Sequence, residues 1–190
     1  MSSQRKQLHQ TPIVSTNFMR LFLLTLFLLT LTAGHSQTKT LPNWFSDMFK
    51  NKGLDKKYVI APFLEPAFLQ ADFNGDSTPD IAVLVTEKAT KRRGILLIHG
   101  GTNEYFLFGA GTSLGSAGKD FKWADKWTLY TKKTAMKTQF DKKSGDIIGG
   151  KTLKLVRPGI LIQDLEDGAA LSGGIIYWNG TKYIWIHQGE

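Results

Sequence analysis

The sequence predicts a mainly β protein: a single antiparallel, sheet-rich domain, barrel-like or two-layered, with one N-terminal amphipathic helix. From residue 57 onward, short strand-like runs are separated by glycine, asparagine and aspartate turns. The connections between them are short, which favours antiparallel neighbours. One stretch with helical signals precedes the strands. The predicted strands are 58–61, 67–71, 80–86, 94–99, 104–108, 127–131, 152–156, 159–163, 173–178 and 182–187.

Residues 1–36 are predicted to be a signal peptide. Arg5, Lys6 and Arg20 supply positive charge, residues 21–31 are apolar apart from two threonines, and small residues precede a cleavage point near Ser36-Gln37. We therefore expect a secreted or periplasmic protein.

Met19 is an alternative start, because Met19-Arg20 and the leucine-rich run form a compact signal peptide by themselves. The run is shorter than the ~20 apolar residues of a membrane anchor, so no membrane span is expected after cleavage. The absence of cysteine excludes a lipid-anchored lipoprotein and a disulfide framework.

Residues 41–52 are the predicted helix, within an N-terminal linker and helix segment, 37–56, that precedes the β-rich domain, 57–190. Thr40 can cap the helix, Pro42 suits its first turn and Gly53 follows as a stop. Two i, i+4 pairs form an apolar stripe that we expect to pack on the sheet: Trp44 with Met48, and Phe45 with Phe49.

Two of the strands are apolar at every position instead of alternating. These runs are 81–85 and 95–98. Strands of this kind are covered on both faces, so we expect them at the centre of the domain.

The segment 72–80 has the composition of a loop that binds a hard cation. Calcium takes about six to eight oxygen ligands from carboxylates, amides, backbone carbonyls and water. The carbonyl of Thr78 is a natural main-chain ligand. Positions 1, 3, 5 and 9 carry the side-chain oxygens: Asp72, Asn74, Asp76 and Asp80.

Two other interpretations of this segment are a plain turn and an EF-hand. Asn74-Gly75 between apolar runs is typical of a hairpin turn, but a turn does not need three mutually repelling aspartates. An EF-hand requires glycine at position 6 and glutamate at position 12, where this chain has Ser77 and Val83.

The segment resembles the calcium loop of the FG-GAP/VCBS repeat family, Asp-Phe-Asn-Gly-Asp-Gly-x-x-Asp followed by a strand. The resemblance covers about residues 66–85 and implies a calcium ion and an extracellular setting. Ser77 replaces the usual glycine, which we expect to strain the loop and weaken the site. The family repeats the motif in each blade of a β-propeller, whereas this chain has one clear copy and is too short for about four blades.

The last two strands are predicted to form a hairpin with a two-residue Asn179-Gly180 turn. This register pairs Trp178 with Thr181 and Ile176 with Tyr183. It places Trp178, Ile176, Tyr183 and Trp185 on one face, and Ile175, Tyr177, Ile184 and Ile186 on the other. The first face is typical of a core, but its aromatic residues Trp178, Tyr183 and Trp185 are also candidate ligand-binding residues, since such rings stack on sugars.

The charge gives weak information about partners. The net charge is +8, falling to about +5 without the leader. The densest basic patch, residues 88–93, has no interleaved aromatic residue as a nucleic-acid groove would. We expect no nucleic-acid partner, while an anionic polysaccharide or membrane surface stays open. We also expect a monomer.

No catalytic residue is assigned. Residues 111–115 match Gly-x-Ser-x-Gly, and Asp164 and His187 follow Ser113 in the chain order of the α/β-hydrolases. The required strand–turn–helix context is missing, so a flexible glycine-rich loop is the better interpretation. His99 and His187 are interpreted as polar residues at strand ends.

These observations favour a secreted, non-catalytic binding or interaction module with a structural calcium site and an unknown protein or carbohydrate ligand. The alternatives are a small secreted hydrolase acting on glycan or ester bonds, and a periplasmic protein inhibitor.

Overall fold

A computed structural model of the chain describes residues 40–189. The predicted signal peptide, 1–36, lies outside the described residues. The described part is mainly β and antiparallel with few helices, which confirms the predicted fold class. Among the described residues, no helix is long and apolar enough to cross a membrane.

The first helix, α1 (Asn43–Asn51), is followed by a single turn, α2 (Leu54–Lys57). Phe45 and Phe49 are the buried residues of α1, as the i, i+4 stripe predicted. They pack with Ile81, Val83 and other side chains from one face of the sheet that follows. The expected side-chain cap from Thr40 is absent, because the N-cap position is Pro42, which has no side-chain donor or acceptor.

Sheet A is built from the first five strands: β1 (Tyr58–Ile60), β2 (Phe68–Ala71), β3 (Asp80–Glu87), β4 (Arg93–Ile98) and β5 (Tyr105–Gly109). Strands β3, β4 and β5 form a meander, and β1 and β2 share the other side of the long strand β3.

Sheet B is built from β6 (Lys126–Tyr130), β9 (Gly159–Glu166), β10 (Ala169–Trp178) and β11 (Tyr183–Gly189). Its strand order is β11-β10-β9-β6. Between β6 and β9 the chain forms a two-stranded ribbon, the outer hairpin, from β7 (Thr134–Phe140) and β8 (Ile147–Lys154).

The two sheets pack face to face. Ala82, Leu84 and Ile95 of sheet A share one buried cluster with Trp127 and Ile160 of sheet B. The alternate residues of β3 face α1, so this strand is covered on both sides as its unbroken apolar run predicts. The indole N–H of Trp127 also donates to the carbonyl of Pro66, 2.8 Å away, which ties sheet B to the entrance of β2.

The far face of sheet B is covered by the base of the outer hairpin. Ala135 and Leu155 pack there against Ile175, Tyr177 and Ile186. The layers therefore run from α1 through sheet A and sheet B to the outer hairpin.

The predicted register of the last hairpin is wrong by two residues. Trp178 pairs with Tyr183, and Ile176 pairs with Trp185. The turn has four residues because the Asn179 side chain accepts the backbone N–H groups of Thr181 and Lys182, each at 3.0 Å. A shift of two leaves every side chain on its predicted face.

Candidate metal centre

The segment 72–80 closes the β2–β3 hairpin. Ala71 and Asp80 are the last paired residues of the two strands, so Asp72 and Asp80 lie at the base of the loop. The antiparallel pairing thus brings the first and ninth positions of the motif to the same end of the sheet.

Asp72 organises the loop backbone around its carboxylate. Its Oδ1 accepts the N–H groups of Gly75 at 2.6 Å and Asp76 at 3.1 Å, and its Oδ2 accepts that of Ser77 at 3.0 Å. Three backbone donors are therefore satisfied by one side chain. The same bonds commit both carboxylate oxygens to the protein.

Asn74 and Asp76 form a second layer of contacts nearer the surface. Asn74 Nδ2 donates to Asp76 Oδ2 at 2.9 Å, and the N–H of Thr78 donates to Asp76 Oδ1 at 2.7 Å. The bond from Asn74, followed by that from Thr78, lowers the pKa of Asp76 below its ordinary value of 3.8. Asp76 is therefore a carboxylate at neutral pH.

Ser77 occupies the left-handed region with φ 69°. A residue with a Cβ pays roughly 1–2 kcal/mol for this conformation, which glycine adopts without strain. Ser77 therefore holds a conformation that favours glycine.

Asp80 is the buried member of the group, with 0% of its surface exposed. Its Oδ2 accepts the N–H groups of Phe73 at 2.9 Å and Asn74 at 3.3 Å, and its Oδ1 accepts that of Gly100 at 3.1 Å. Burial raises the pKa of Asp80, while the hydrogen bond from Phe73 acts in the opposite direction. These contacts fasten the loop to the turn that follows β4.

The acidic side chains of the loop have no basic partner in the described part of the chain. No lysine or arginine nitrogen lies within 4.0 Å of the carboxylates of Asp72, Asp76 or Asp80. Arg157 lies against the loop at Gly75, where an added Cβ would be 2.9 Å from its Nε. Its Nη1 donates to the carbonyl of Trp178 at 3.4 Å.

The donor set suits calcium, but the side chains do not converge on one point. Carboxylate, amide and carbonyl oxygens are all present in the segment. Within residues 40–189, however, no group of three or more acidic or histidine side chains is arranged to hold a metal ion. In this conformation the backbone N–H groups occupy the carboxylate oxygens.

His99 connects the loop to the core between the sheets. It is 1% exposed; its Nε2 lies 2.7 Å from the hydroxyl of Tyr183, and its Nδ1 lies 3.3 Å from Asn74 Nδ2. An amide nitrogen can only donate, so Nδ1 accepts from Asn74 and Nε2–H donates to Tyr183. Burial, followed by the charges of Asp80 and Asp72, raises the pKa of Tyr183 and keeps its hydroxyl protonated.

The three candidate ligand-binding aromatics belong to this core. Tyr183 is 8% exposed, and Trp178 and Trp185 are partly buried against the same cluster. Trp178 stacks edge-on with Phe106, with ring centroids 5.8 Å apart. Trp178 and Tyr183 thus pack against His99, which links the loop to the core. A ligand-binding role for the three aromatic residues stays a prediction.

The hydrolase arrangement is not assembled around Ser113. Ser116 Oγ lies 3.4 Å from His187 Nδ1. No hydrogen bond joins Ser113 or Asp164 to His187 in the described range.

His99, Gly100 and Arg157 are neighbours of the loop that the sequence pattern does not predict. His99 follows β4 directly, which agrees with its interpretation as a polar residue at a strand end. The signal that points to the loop is this histidine before Gly100-Gly101 at the end of an apolar strand, because β4 pairs with β3 and ends beside the β2–β3 loop.

No family model, curated protein or solved structure matches this chain.

Proposed function

We propose that this protein is a secreted or periplasmic, non-catalytic binding module in which calcium stabilises the loop 72–80. The observation that carries the proposal is Asp80, a fully buried aspartate in a loop that holds two other aspartates and has no lysine or arginine of residues 40–189 within ion-pair distance. Buried charges in proteins are normally paired or coordinate metals. The 1-3-5-9 spacing and the left-handed Ser77 support the same proposal.

The residues that would hold the ion are Asp72, Asn74, Asp76 and Asp80 through their side chains and Thr78 through its carbonyl. Asp76 is exposed and Asn74 partly exposed, so both side chains can turn from their present hydrogen bonds toward a cation. The bound ion would supply positive charge that cancels the repulsion among the three aspartates. An ion that binds the folded state alone adds stability by mass action.

The position of the loop gives the ion a role beyond local stability. Asn74 is linked through His99 to Tyr183 on β11. A loop fixed by calcium would therefore hold the adjoining edge of sheet B in place, and this pre-organises a binding surface.

The test is thermal unfolding in EDTA and then with added calcium. Extracellular calcium sites commonly have a Kd of about 10⁻⁴–10⁻³ M, so 10 mM calcium should add about 1.4–2.7 kcal/mol of stability. For a domain of this size, this corresponds to a rise in Tm of about 3–10 °C.

Asp76→Ala should abolish the rise, because it removes an exposed oxygen ligand without opening a cavity. Asp141→Ala is the matched control: Asp141 also accepts backbone N–H groups in an exposed acidic turn, those of Lys143 and Ser144. An equal calcium response in Asp76→Ala and in the unaltered protein would refute the calcium site.

A further inference from the structure

A cleft lies between the outer hairpin, strand β11 and the short turn of 3₁₀ helix Gly115–Ala117. Its volume is about 380 Å³, and a neighbouring recess of about 240 Å³ shares its central wall. Sites for small ligands typically measure about 300–1,000 Å³. The shared wall consists of Ser116, Trp185 and His187; we call the two recesses together the β11 cleft.

The wall of the β11 cleft carries two polar atoms that need partners. Trp185 Nε1 and His187 Nε2 are buried, and neither has a hydrogen-bond partner among the described residues. An indole N–H is a donor only, and a buried polar group without a partner destabilises the folded protein. Both nitrogens are closed off from solvent, so the exposed hydroxyl of Ser116 is the group of this wall that a ligand in the cleft can hydrogen-bond to.

The same wall is aromatic. The Trp185 ring lies on Gly174 of β10, where an added Cβ would be only 2.5 Å from its Cζ2. Trp123 meets Trp185 edge-on, with ring centroids 6.3 Å apart. On the side of the outer hairpin, Phe140 of β7 is 39% exposed. Its ring meets that of His187 edge-on, with ring centroids 5.1 Å apart.

The charge around the cleft has one sign. The charged side chains that line it in the described structure are Lys137 and Lys182. Residues 132–154, the outer hairpin with the two residues before it, contain seven lysines and two aspartates. The rest of the described chain contains thirteen basic and thirteen acidic residues. The whole net positive charge of the described chain therefore lies on the outer hairpin, which forms one side of the cleft, and on the two lysines that precede it.

We propose that the β11 cleft binds an acidic saccharide, a sugar unit that carries a carboxylate. Aromatic faces pack against the C–H faces of sugar rings, the exposed Ser116 hydrogen-bonds to a ring hydroxyl, and Lys137 and Lys182 attract the carboxylate. The basic hairpin steers a polyanionic chain toward the cleft. The inference rests on the proposed binding role and supplies its ligand class.

The test is calorimetric titration of the full protein with a trimer of galacturonic acid and with its methyl-esterified trimer. The ester keeps the rings and removes the charge. We expect the acid to bind at least about tenfold more tightly than the ester at low salt, with the difference shrinking as salt is added.

Two double variants distinguish binding in the β11 cleft from non-specific attraction of the acidic trimer to a basic protein. Lys137→Glu/Lys182→Glu should weaken binding of the acidic trimer by at least about tenfold. Lys88→Glu/Arg92→Glu makes the same change of charge in the exposed β3–β4 turn and should alter binding by less than about twofold. Equal losses in the two variants would overturn the assignment to the cleft.

Ser116→Ala tests the hydrogen-bonding wall at an exposed position that is not part of the core. It should weaken both the acidic and the esterified trimer by about fivefold, since it removes a bond that does not depend on charge. Unchanged binding of both trimers would refute the contact.

The remaining outcomes distinguish this inference from the proposed function. Binding to phosphatidylglycerol vesicles or to an oligothymidylate, without binding to the trimer, would overturn the saccharide proposal while leaving the binding module intact. Cleavage of the trimer, detected by mass spectrometry, would refute the non-catalytic role but support the cleft as the saccharide site. No binding of the trimer together with a normal calcium response would refute this inference alone.

Discussion

The hydrogen bond between Tyr183 and His99 should be one of the costlier single contacts to remove. Tyr183→Phe keeps the ring in its cluster and deletes the hydroxyl that lies 2.7 Å from His99 Nε2. His99 is 1% exposed, so water cannot replace the lost partner. An unsatisfied buried group costs about 1–3 kcal/mol, and this is the expected loss in the free energy of unfolding.

Urea unfolding followed by tryptophan fluorescence measures this loss. With a denaturant slope of about 2 kcal/mol per molar for a domain of this size, a loss of 2 kcal/mol moves the midpoint by about 1 M. Tyr105→Phe is the matched control because Tyr105 is 45% exposed. If Tyr183→Phe cost no more than Tyr105→Phe, the hydrogen bond would not be a stabilising link between the loop and the core.

The unaltered protein and Tyr183→Phe also give a pH test. Burial raises the pKa of Tyr183 above its ordinary value of 10.0. The stabilising contribution of the Tyr183 hydroxyl is therefore complete below pH 10 and is lost as the pH rises further, because the unfolded chain releases the hydroxyl proton at a lower pH than the folded protein does. The loss approaches about 1.4 kcal/mol per pH unit. Tyr183→Phe has no hydroxyl at this position and does not show this loss. The difference in the free energy of unfolding between the unaltered protein and Tyr183→Phe should therefore narrow above pH 10. A gap that stays constant would contradict the raised pKa.

Two further predictions concern the loop and the helix. Ser77→Gly should stabilise the protein by about 0.5–1 kcal/mol and tighten calcium binding, because glycine relieves the left-handed strain; Ser144→Gly, in the outer-hairpin turn, should not stabilise in urea unfolding, and equal effects of the two would contradict this reasoning. Phe45→Ala should cost about 3–5 kcal/mol, because a fully buried aromatic ring is lost. Val59→Ala, at a 46% exposed position, should cost far less, and a similar cost would show that α1 does not cover sheet A.

The fold could be predicted because most elements carry a strong local signal. The unbroken apolar runs of β3 and β4 reflect layers on both of their faces. The sequence does not predict strand β7, because six of its seven residues are exposed or only partly buried and no alternation of apolar and polar residues marks it. The outer hairpin is defined by the backbone pairing of β7 with β8 and not by a buried face.

The candidate metal centre could be predicted in part, because part of its signal is also local in the sequence. The loop's oxygen-bearing residues lie within nine positions, and their spacing is visible in the chain. His99 lies 25 residues from Asn74 and 84 from Tyr183, and pairings at that range are fixed by the packing of the two sheets. The β11 cleft depends on the same packing, since it joins residues from five separate segments: 114–117, 123, 137–140, 172–173 and 182–187.

The outer hairpin is an excursion from sheet B, because β6 and β9 pair directly with one another from Lys126↔Gln163 to Tyr130↔Gly159. Its base is constrained, since Ala135 and Leu155 cover the far face of the sheet. Its distal part, residues 136–152, is mostly exposed and can change in length and charge without disturbing a single pairing of either sheet. Changes confined to the outer hairpin could therefore alter ligand binding during evolution, while sheets A and B keep their structure.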